Sequence, residues 1–323
     1  MKKAQLAALL LVLSSACSTS DTRPATKPLT KVRVSFSPLL SWGPLMIARE
    51  EGFFRDEGLD VEFVSTLSSQ EELVALVTGD IDVQPGPLHA GFLSAVAQGA
   101  KVRIVAGQGA LDKDGCTYFG VVRRGNIDPS SIKRVRASHD GVSRFIASEM
   151  LKQKGIDIGH LEVVKLPDAV LTRTLQTGSV DAIAASEPTL TRLVRDTPLW
   201  LSAEKVLPDY QWGIVAFGER FLYRERDTGA RFLRAYSKGV ARYRNGKTDR
   251  NVDIIARETG EDPELIRDAC WLPFREDLRV NWKSIDEFQA WANAQGIMER
   301  TVTFSQAMDT TFLHENIPAP DAH

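Results

Sequence analysis

The residues best suited to meeting a small molecule are scattered along the chain, and none of them forms a catalytic constellation. His89 and His139 sit in polar loops ahead of helical segments. Either could move a proton near neutral pH, and either could equally serve as a hydrogen-bonding or structural group. Glu187, in Ser186-Glu187-Pro188, could accept an N–H from a bound solute or act as the acid at a helix start. Arg144 could pair an anion or stand exposed on its helix. Trp42 and Trp212 offer rings for a planar solute, and Trp212 could instead pack a hinge. Gly-x-Ser-x-Gly is absent, and no cysteine has a local catalytic context. The five histidines lack ligand spacing and no Cys-x-x-Cys occurs, which argues against a metal site. Asp80 and Asp82 share a strand face beside a turn, the place of a corner rather than of a carboxylate pair. The pattern is one of binding without turnover: no enzyme activity, no cofactor and no metal are expected.

The elements that must position these groups are legible from periodicity. Lys31 to Val64 begins with alternating Val32, Val34 and Phe36, a strand signal. A loop holding Trp42 follows, and Pro44 stands where a first helical residue is favoured. Leu45, Met46, Ala48 and Phe53 recur at helical spacing, and Asp60 to Val64 reads as a second strand. Such βαβ units present ligands at the carboxyl ends of their strands. The loop Ser35 to Pro44 has one glycine, Gly43, and is no phosphate cradle.

An internal echo organises the next part. Leu76-Val77-Thr78-Gly79-Asp80-Ile81-Asp82 recurs as Leu175-Gln176-Thr177-Gly178-Ser179-Val180-Asp181. Each copy ends a helix on glycine and starts a short strand. Helix starts precede both, at Ser68-Ser69-Gln70-Glu71-Glu72 and at Pro167-Asp168. The strands exit into Gln84-Pro85-Gly86-Pro87-Leu88-His89 and Ala184-Ala185-Ser186-Glu187-Pro188, where a cleft would lie. A strand at 134–137 leads through Ser138-His139-Asp140-Gly141 into a helix from Val142 to Lys154 that carries Ser143 and Arg144. Backbone N–H groups at such helix starts point outward to a ligand. The expected ligand-binding set is therefore Trp42, Ser69, Gln70, His89, Ser138, Ser143, Arg144, Glu187 and Trp212. From Glu219 on the chain reads as mostly helical. Ser284-Ile285-Asp286-Glu287 matches a capping box ahead of Phe288 and Trp291.

The first sixteen residues have the form of a signal peptide, with Lys2 and Lys3 before the apolar run Leu6 to Leu13. Ser14 and Ala16 before Cys17 resemble a bacterial lipobox, in which Cys17 is lipidated after cleavage; the alternative is cleavage at the same bond without a lipid. Residues 17–30 form a tether rich in Ser, Thr, Pro and Lys. The cleaved chain carries a formal charge of −4, with its basic residues dispersed, which argues against a nucleic-acid partner. Cys116 and Cys270 remain, either as one disulfide of an exported protein or as two thiols.

The run Pro44-Leu45-x-Ile47-Ala48-x-x-x-Gly52-Phe53-Phe54-x-x-Glu57-Gly58-Leu59-Asp60-Val61 resembles the opening of periplasmic binding proteins of the nitrate/taurine/sulfonate importer group. Related thiamine-pyrimidine-precursor proteins share it, and the segment from Glu258 to Ile297 resembles the tail of the group. The resemblance implies an α/β, two-lobed periplasmic binding protein fold of type II with a helical C-terminal part packed on lobe one. Tyr118–Val122 and Trp212–Phe217 are apolar and aromatic, as crossing strands of this class are. They divide the chain into lobe one, 31–122 and 213–323, and lobe two, 123–212. The implied function is that of a monomeric lipoprotein that captures a small planar or anionic organic solute for an ABC importer. Its partners would be the permease subunits with their ATPase, and its place the periplasm or cell surface, held to the membrane through Cys17. A pyrimidine-synthase-like enzyme on the same fold and a periplasmic sensor are the alternatives. The cysteine-rich motif of those synthases is missing here.

Overall fold

A computed structural model describes residues 28–65, 68–137 and 141–316. The signal segment, Cys17 and all but the last residues of the tether lie outside the described residues. Ten strands are present: β1 (Thr30–Phe36), β2 (Leu59–Ser65), β3 (Val83–Pro87), β4 (Arg103–Ala110), β5 (Phe119–Arg123), β6 (Arg134–Arg136), β7 (Glu162–Val164), β8 (Ala182–Ser186), β9 (Leu199–Ser202) and β10 (Gln211–Phe217). They make two five-stranded sheets, ordered β2-β1-β3-β10-β4 and β7-β6-β8-β5-β9. In the first, β1 runs parallel to β2 and β3, and β10 is antiparallel to β3 and β4. In the second, β6 runs parallel to β7 and β8, and β5 is antiparallel to β8 and β9.

The two sheets are thus one pattern used twice, and the sequence echo marks the same corner in each. Gly79 and Gly178 follow the helices at φ +83° and +76°, a conformation that glycine adopts without penalty. Asp82 accepts the backbone N–H of Arg33 at 2.8 Å, returns its own N–H to the Arg33 carbonyl at 2.8 Å, and its carbonyl receives Gly218 N–H at 3.1 Å. Asp181 does the same with Arg134, at 3.1 and 2.8 Å, and its carbonyl receives Arg124 N–H at 2.9 Å. Arginines close both corners, Arg33 and Arg220 on Asp82 and Arg124 on Asp181. The corner role expected of Asp82 is what the structure shows.

Helices cover the sheets. In the first half these are α1 (Gly43–Glu50), α2 (Phe53–Asp56), α3 (Ser69–Thr78) and α4 (Ala90–Ala97); in the second, α5 (Val142–Lys152), α6 (Leu171–Gln176), α7 (Thr189–Val194) and α8 (Ala203–Val206). After β10 come α9 (Arg226–Arg244), α10 (Asp249–Thr259), α11 (Pro263–Asp268), α12 (Trp282–Ala294), α13 (Phe304–Ala307) and α14 (Thr311–Asn316). Pro44 stands in the first turn of α1, and the Ser68 side chain caps α3. None of the helices among the described residues is long and apolar enough to cross a membrane.

Three expectations need correction. Tyr118–Val122 and Trp212–Phe217 are not links between halves: β5 is an inner strand of the second sheet and β10 of the first, so the limits 122/123 and 212/213 fall inside or at the edge of sheet strands. The chain crosses instead at 111–118 and 203–210, just before each apolar strand. Ser284 does not cap a helix, because α12 already begins at Trp282; its hydroxyl accepts Gln211 N–H at 3.1 Å. The capping box lies later, at Thr303 and Gln306.

The C-terminal helices do pack on the first half, α9 against α1 and α2. They also reach the second. Phe145 of α5 meets Phe288 and Trp291 of α12 and Tyr210 of the second crossing, with ring centroids 5.3–6.3 Å apart. Arg192 and Arg195 at α7 pair with Glu261 and Asp268. Cys116, in the first crossing, is disulfide-bonded to Cys270, just after α11. The larger apolar cluster therefore runs from one half into the other, and a smaller one, with Val122, Leu175, Ile183 and Leu190, lies within the second half.

Candidate ligand-binding site

The carboxyl ends of β1, β3 and β4 and the start of β10 lie along one edge of the first sheet. The matching edge of the second sheet, at the start of β5 and the end of β8, faces it. The two edges touch. Val142 N–H donates to the Leu88 carbonyl at 2.9 Å, and His89 and Gly141 form an isolated antiparallel bridge. Tyr118, just before β5, sets its ring edge-on to Trp212, 5.1 Å away.

Buried polar atoms gather at this junction. Gln84 and Gly86 alternate onto one face of β3, and Trp42 lies over that face. A Cβ on Gly86 would come within 3.2 Å of the Trp42 ring, and one on Gly213 would lie 2.6 Å from the Gly86 carbonyl and 2.9 Å from Gln108 Oε1. Bare backbone at these two positions is what admits the indole and the amide. Gln108 donates to the Ser41 carbonyl at 3.1 Å, which leaves its Oε1 turned inward. Ser41 Oγ, Trp42 Nε1, Gln84 Oε1, Gln108 Oε1 and Trp212 Nε1 are all buried with no hydrogen-bond partner among the described residues. The Tyr118 hydroxyl lies beside the Ser41 and Ser186 side chains, and burial pushes its pKa well above the tyrosine range. Leaving one such atom unsatisfied costs about 1–3 kcal/mol, so a cluster of them at one junction marks where a polar guest belongs.

A second polar group lies under the same face. The Glu72 carboxylate accepts from Ser35 Oγ and from Gln84 Nε2, the latter at 3.2 Å. Gln84 Nε2 is also 3.1 Å from His89 Nε2, and His89 Nδ1 accepts Phe92 N–H at 3.2 Å, capping α4. Burial pushes the Glu72 pKa up to about 7, although the bonds from Ser35 and Gln84 oppose that rise.

The structure brings some of the expected residues together and not others. Trp42, His89 and Trp212 are buried at the junction. Ser143 and Arg144 occupy the first turn of α5, half-buried, beside the contact between Gly141 and His89. Ser138 lies outside the described residues. Ser69 is half-buried and Gln70 exposed on α3; it is Glu72, one turn on, that faces inward. Glu187 is buried, but its oxygens are committed to Thr191 N–H, the Thr191 hydroxyl and Cys270 N–H at 2.8–3.2 Å. It holds the start of α7 and the C-terminal segment in place, and burial keeps its pKa raised.

Ser41, Glu72, Gln84, Gln108 and Tyr118 were not singled out from the sequence. Two of them had a signal: Gln84 and Gln108 are polar residues inside otherwise apolar strands, a pattern that demands an internal partner or a guest. Among the described residues there is no group of His, Cys, Asp and Glu able to hold a metal ion.

Comparison with solved structures shows a shared architecture. A ligand-binding component of an ABC-type import system from Staphylococcus aureus matches with TM-score 0.74 and 14% identity over 89% of this chain and 99% of its own. The periplasmic nitrate-binding protein NrtA from Synechocystis PCC 6803 matches with TM-score 0.71 and 15% identity, covering 89% and 88%. The desulfurization enzyme DSZB matches with TM-score 0.66 and 13% identity, covering 89% and 98%. At these identities the likeness shows the fold, that of the periplasmic binding proteins, and no more. Among curated protein sequences there is no match. The profile of one family, however, matches residues 41–245, well over half of the sequence, and the chain belongs to that family, described as NMT1/THI5 like.

Proposed function

We propose that this protein is the solute-binding component of an ABC importer, exported and held at a membrane by a lipid on Cys17. The observation that supports it is the cluster of buried, unpartnered polar atoms where the two sheets face each other. Lobe one, on this view, comprises the first sheet with the helices after β10, and lobe two the second sheet; solute enters while they are apart and stabilises them together. An indole N–H only donates. Trp42 and Trp212 therefore call for a solute that presents at least two acceptors, while the free oxygens of Gln84 and Gln108 accept and the hydroxyls of Ser41 and Tyr118 can meet either kind of group. With Glu187 committed to the protein, an acceptor-bearing planar or anionic organic solute fits better than a cationic one, and Arg144 stands on the nearest helix start to receive its charge.

The fold also carries enzymes, but no nucleophile-base pair appears among the described residues at the junction. The permease would read the closed state. Native mass spectrometry of gently purified protein should show a retained small molecule that is lost when Trp42 and Trp212 are both replaced by Ala. Unchanged retention in a folded double variant would place the solute elsewhere. The intact mass of the mature N-terminus tests the anchor: an unmodified Cys17 on a soluble protein would refute it.

A further inference from the structure

Resting on the solute-binding function proposed above, we infer that Glu72 controls whether Gln84 shows the junction a hydrogen-bond acceptor or a donor, which makes Glu72 a positioning residue for solute recognition. His89 Nδ1 accepts Phe92 N–H, so a neutral ring carries its proton on Nε2. That Nε2–H then faces Gln84 Nε2 at 3.1 Å, donor against donor. The amide keeps this orientation because the same Nε2 donates to Glu72. The Glu72 carboxylate thus holds Gln84 with its oxygen toward the junction, where Oε1 has no partner among the described residues.

A proton on Glu72 reverses the balance. A neutral Glu72 can donate to an amide oxygen. Gln84 then gains by turning over: its oxygen accepts from both Glu72 and His89 Nε2–H, and its NH₂ group points to the junction instead. The groups facing Glu72 are Ser35 of β1 and Gln84 of β3, with the titratable His89 beyond Gln84 at the start of α4. Beside burial, the groups that act on its carboxyl are the Ser35 hydroxyl and the Gln84 amide, with no Lys or Arg among them. Its surroundings hold its pKa near 7, within reach of ordinary changes in pH. Above that value the junction presents an acceptor at Gln84 and suits a solute with a donor there; below it, the same position suits one more acceptor.

The test uses the full chain without solute, so it stands or falls separately from the transport function. Label the glutamate carboxyls with ¹³C and the glutamine side-chain amides with ¹⁵N, and follow both by NMR from pH 5 to 9. Glu72 should titrate near 7, and the Gln84 amide should shift with the same midpoint. Glu72→Gln should leave the Gln84 signal flat across the range. Should that variant fail to fold, Ser35→Ala serves: removing a bond to the charged carboxylate should move both midpoints upward together. A Gln84 amide indifferent to Glu72 titration, or a Glu72 midpoint in the ordinary carboxylate range, would overturn the assignment.

Discussion

Val142→Pro isolates one of the contacts through which the two halves meet. Val142 is the first residue of α5, and its N–H is spent on the Leu88 carbonyl across the junction at 2.9 Å, not on its own helix. Proline is favoured at a first helical position, and it requires the preceding residue to be extended. Gly141 already is, at φ −100° and ψ 176°. The substitution therefore deletes one donor and leaves the helix start in its existing geometry. A hydrogen bond of this kind contributes about 0.5–1.5 kcal/mol net, so its loss should shift the closed-to-open ratio about 2- to 10-fold toward open. Val142→Ala is the control, because it keeps the N–H while losing apolar contact at the same buried position. Spin labels on Val74 of α3 and Val170 ahead of α6, both exposed, report the separation of the halves. The longer-distance population should grow in Val142→Pro and stay at the parent level in Val142→Ala. Identical distance distributions in all three proteins would show that this bond does not hold the halves together.

Other perturbations give separate readouts. Reducing the Cys116–Cys270 disulfide, which spans 154 residues, should lower stability by about 5 kcal/mol in the chain-entropy view, measured by denaturant unfolding with and without reductant. Equal midpoints would show that the unfolded chain gains no freedom from the cut. Glu72 has a folded pKa near 7, above the carboxyl's 4.5, so folding favours its protonated form. Its burden is absent below pH 4.5, grows as pH rises to 7, and reaches about 3 kcal/mol above that. Glu72→Gln should flatten this part of the stability-versus-pH curve, and a curve parallel to the parent's would contradict the raised pKa. Trp212→Phe removes a buried donor that has no partner among the described residues, at the price of a smaller ring, so the melting temperature without solute should move little. The amount of solute retained in native mass spectra should nevertheless fall; full retention would remove Trp212 Nε1 from the site.

Much of the architecture was legible because it rests on local rules. The alternation in β1, the proline opening α1 and the glycine that ends each echo are decided within a few residues, and all three appear where the sequence puts them. The crossings were displaced because apolarity marks burial and not position. Tyr118 to Val122 is apolar since β5 is an inner strand, and nothing local says in which sheet. The pairing of Cys116 with Cys270 depends on where α11 ends against the first crossing, a relation between segments far apart in the chain. At the junction, the loop residues Trp42 and His89 were visible as types at strand exits. Glu72 was seen only as a charge in the first turn of α3, and its inward direction follows from how that helix lies against β1 and β3. Glu187 looked like a ligand group because its partners, Thr191 and Cys270, become neighbours only in the fold.

The place of β10 has a consequence for the order in which the molecule can be made. The second sheet is drawn from one continuous stretch, 119–202, and all its strands are available as soon as that stretch has emerged. The first sheet is not: β10 lies inside it, between β3 and β4, yet it is the last strand among the described residues. Until residue 217 is present, the edges of β3 and β4 face each other across a missing strand, with their backbone groups unpaired. Segments fold as units and distant pairings come late, so the half that begins first in the sequence is the half that finishes second. During that interval the exposed edges of β3 and β4 are the places most open to pairing with another chain. A chaperone that protects the incomplete chain would be expected to cover those two strands.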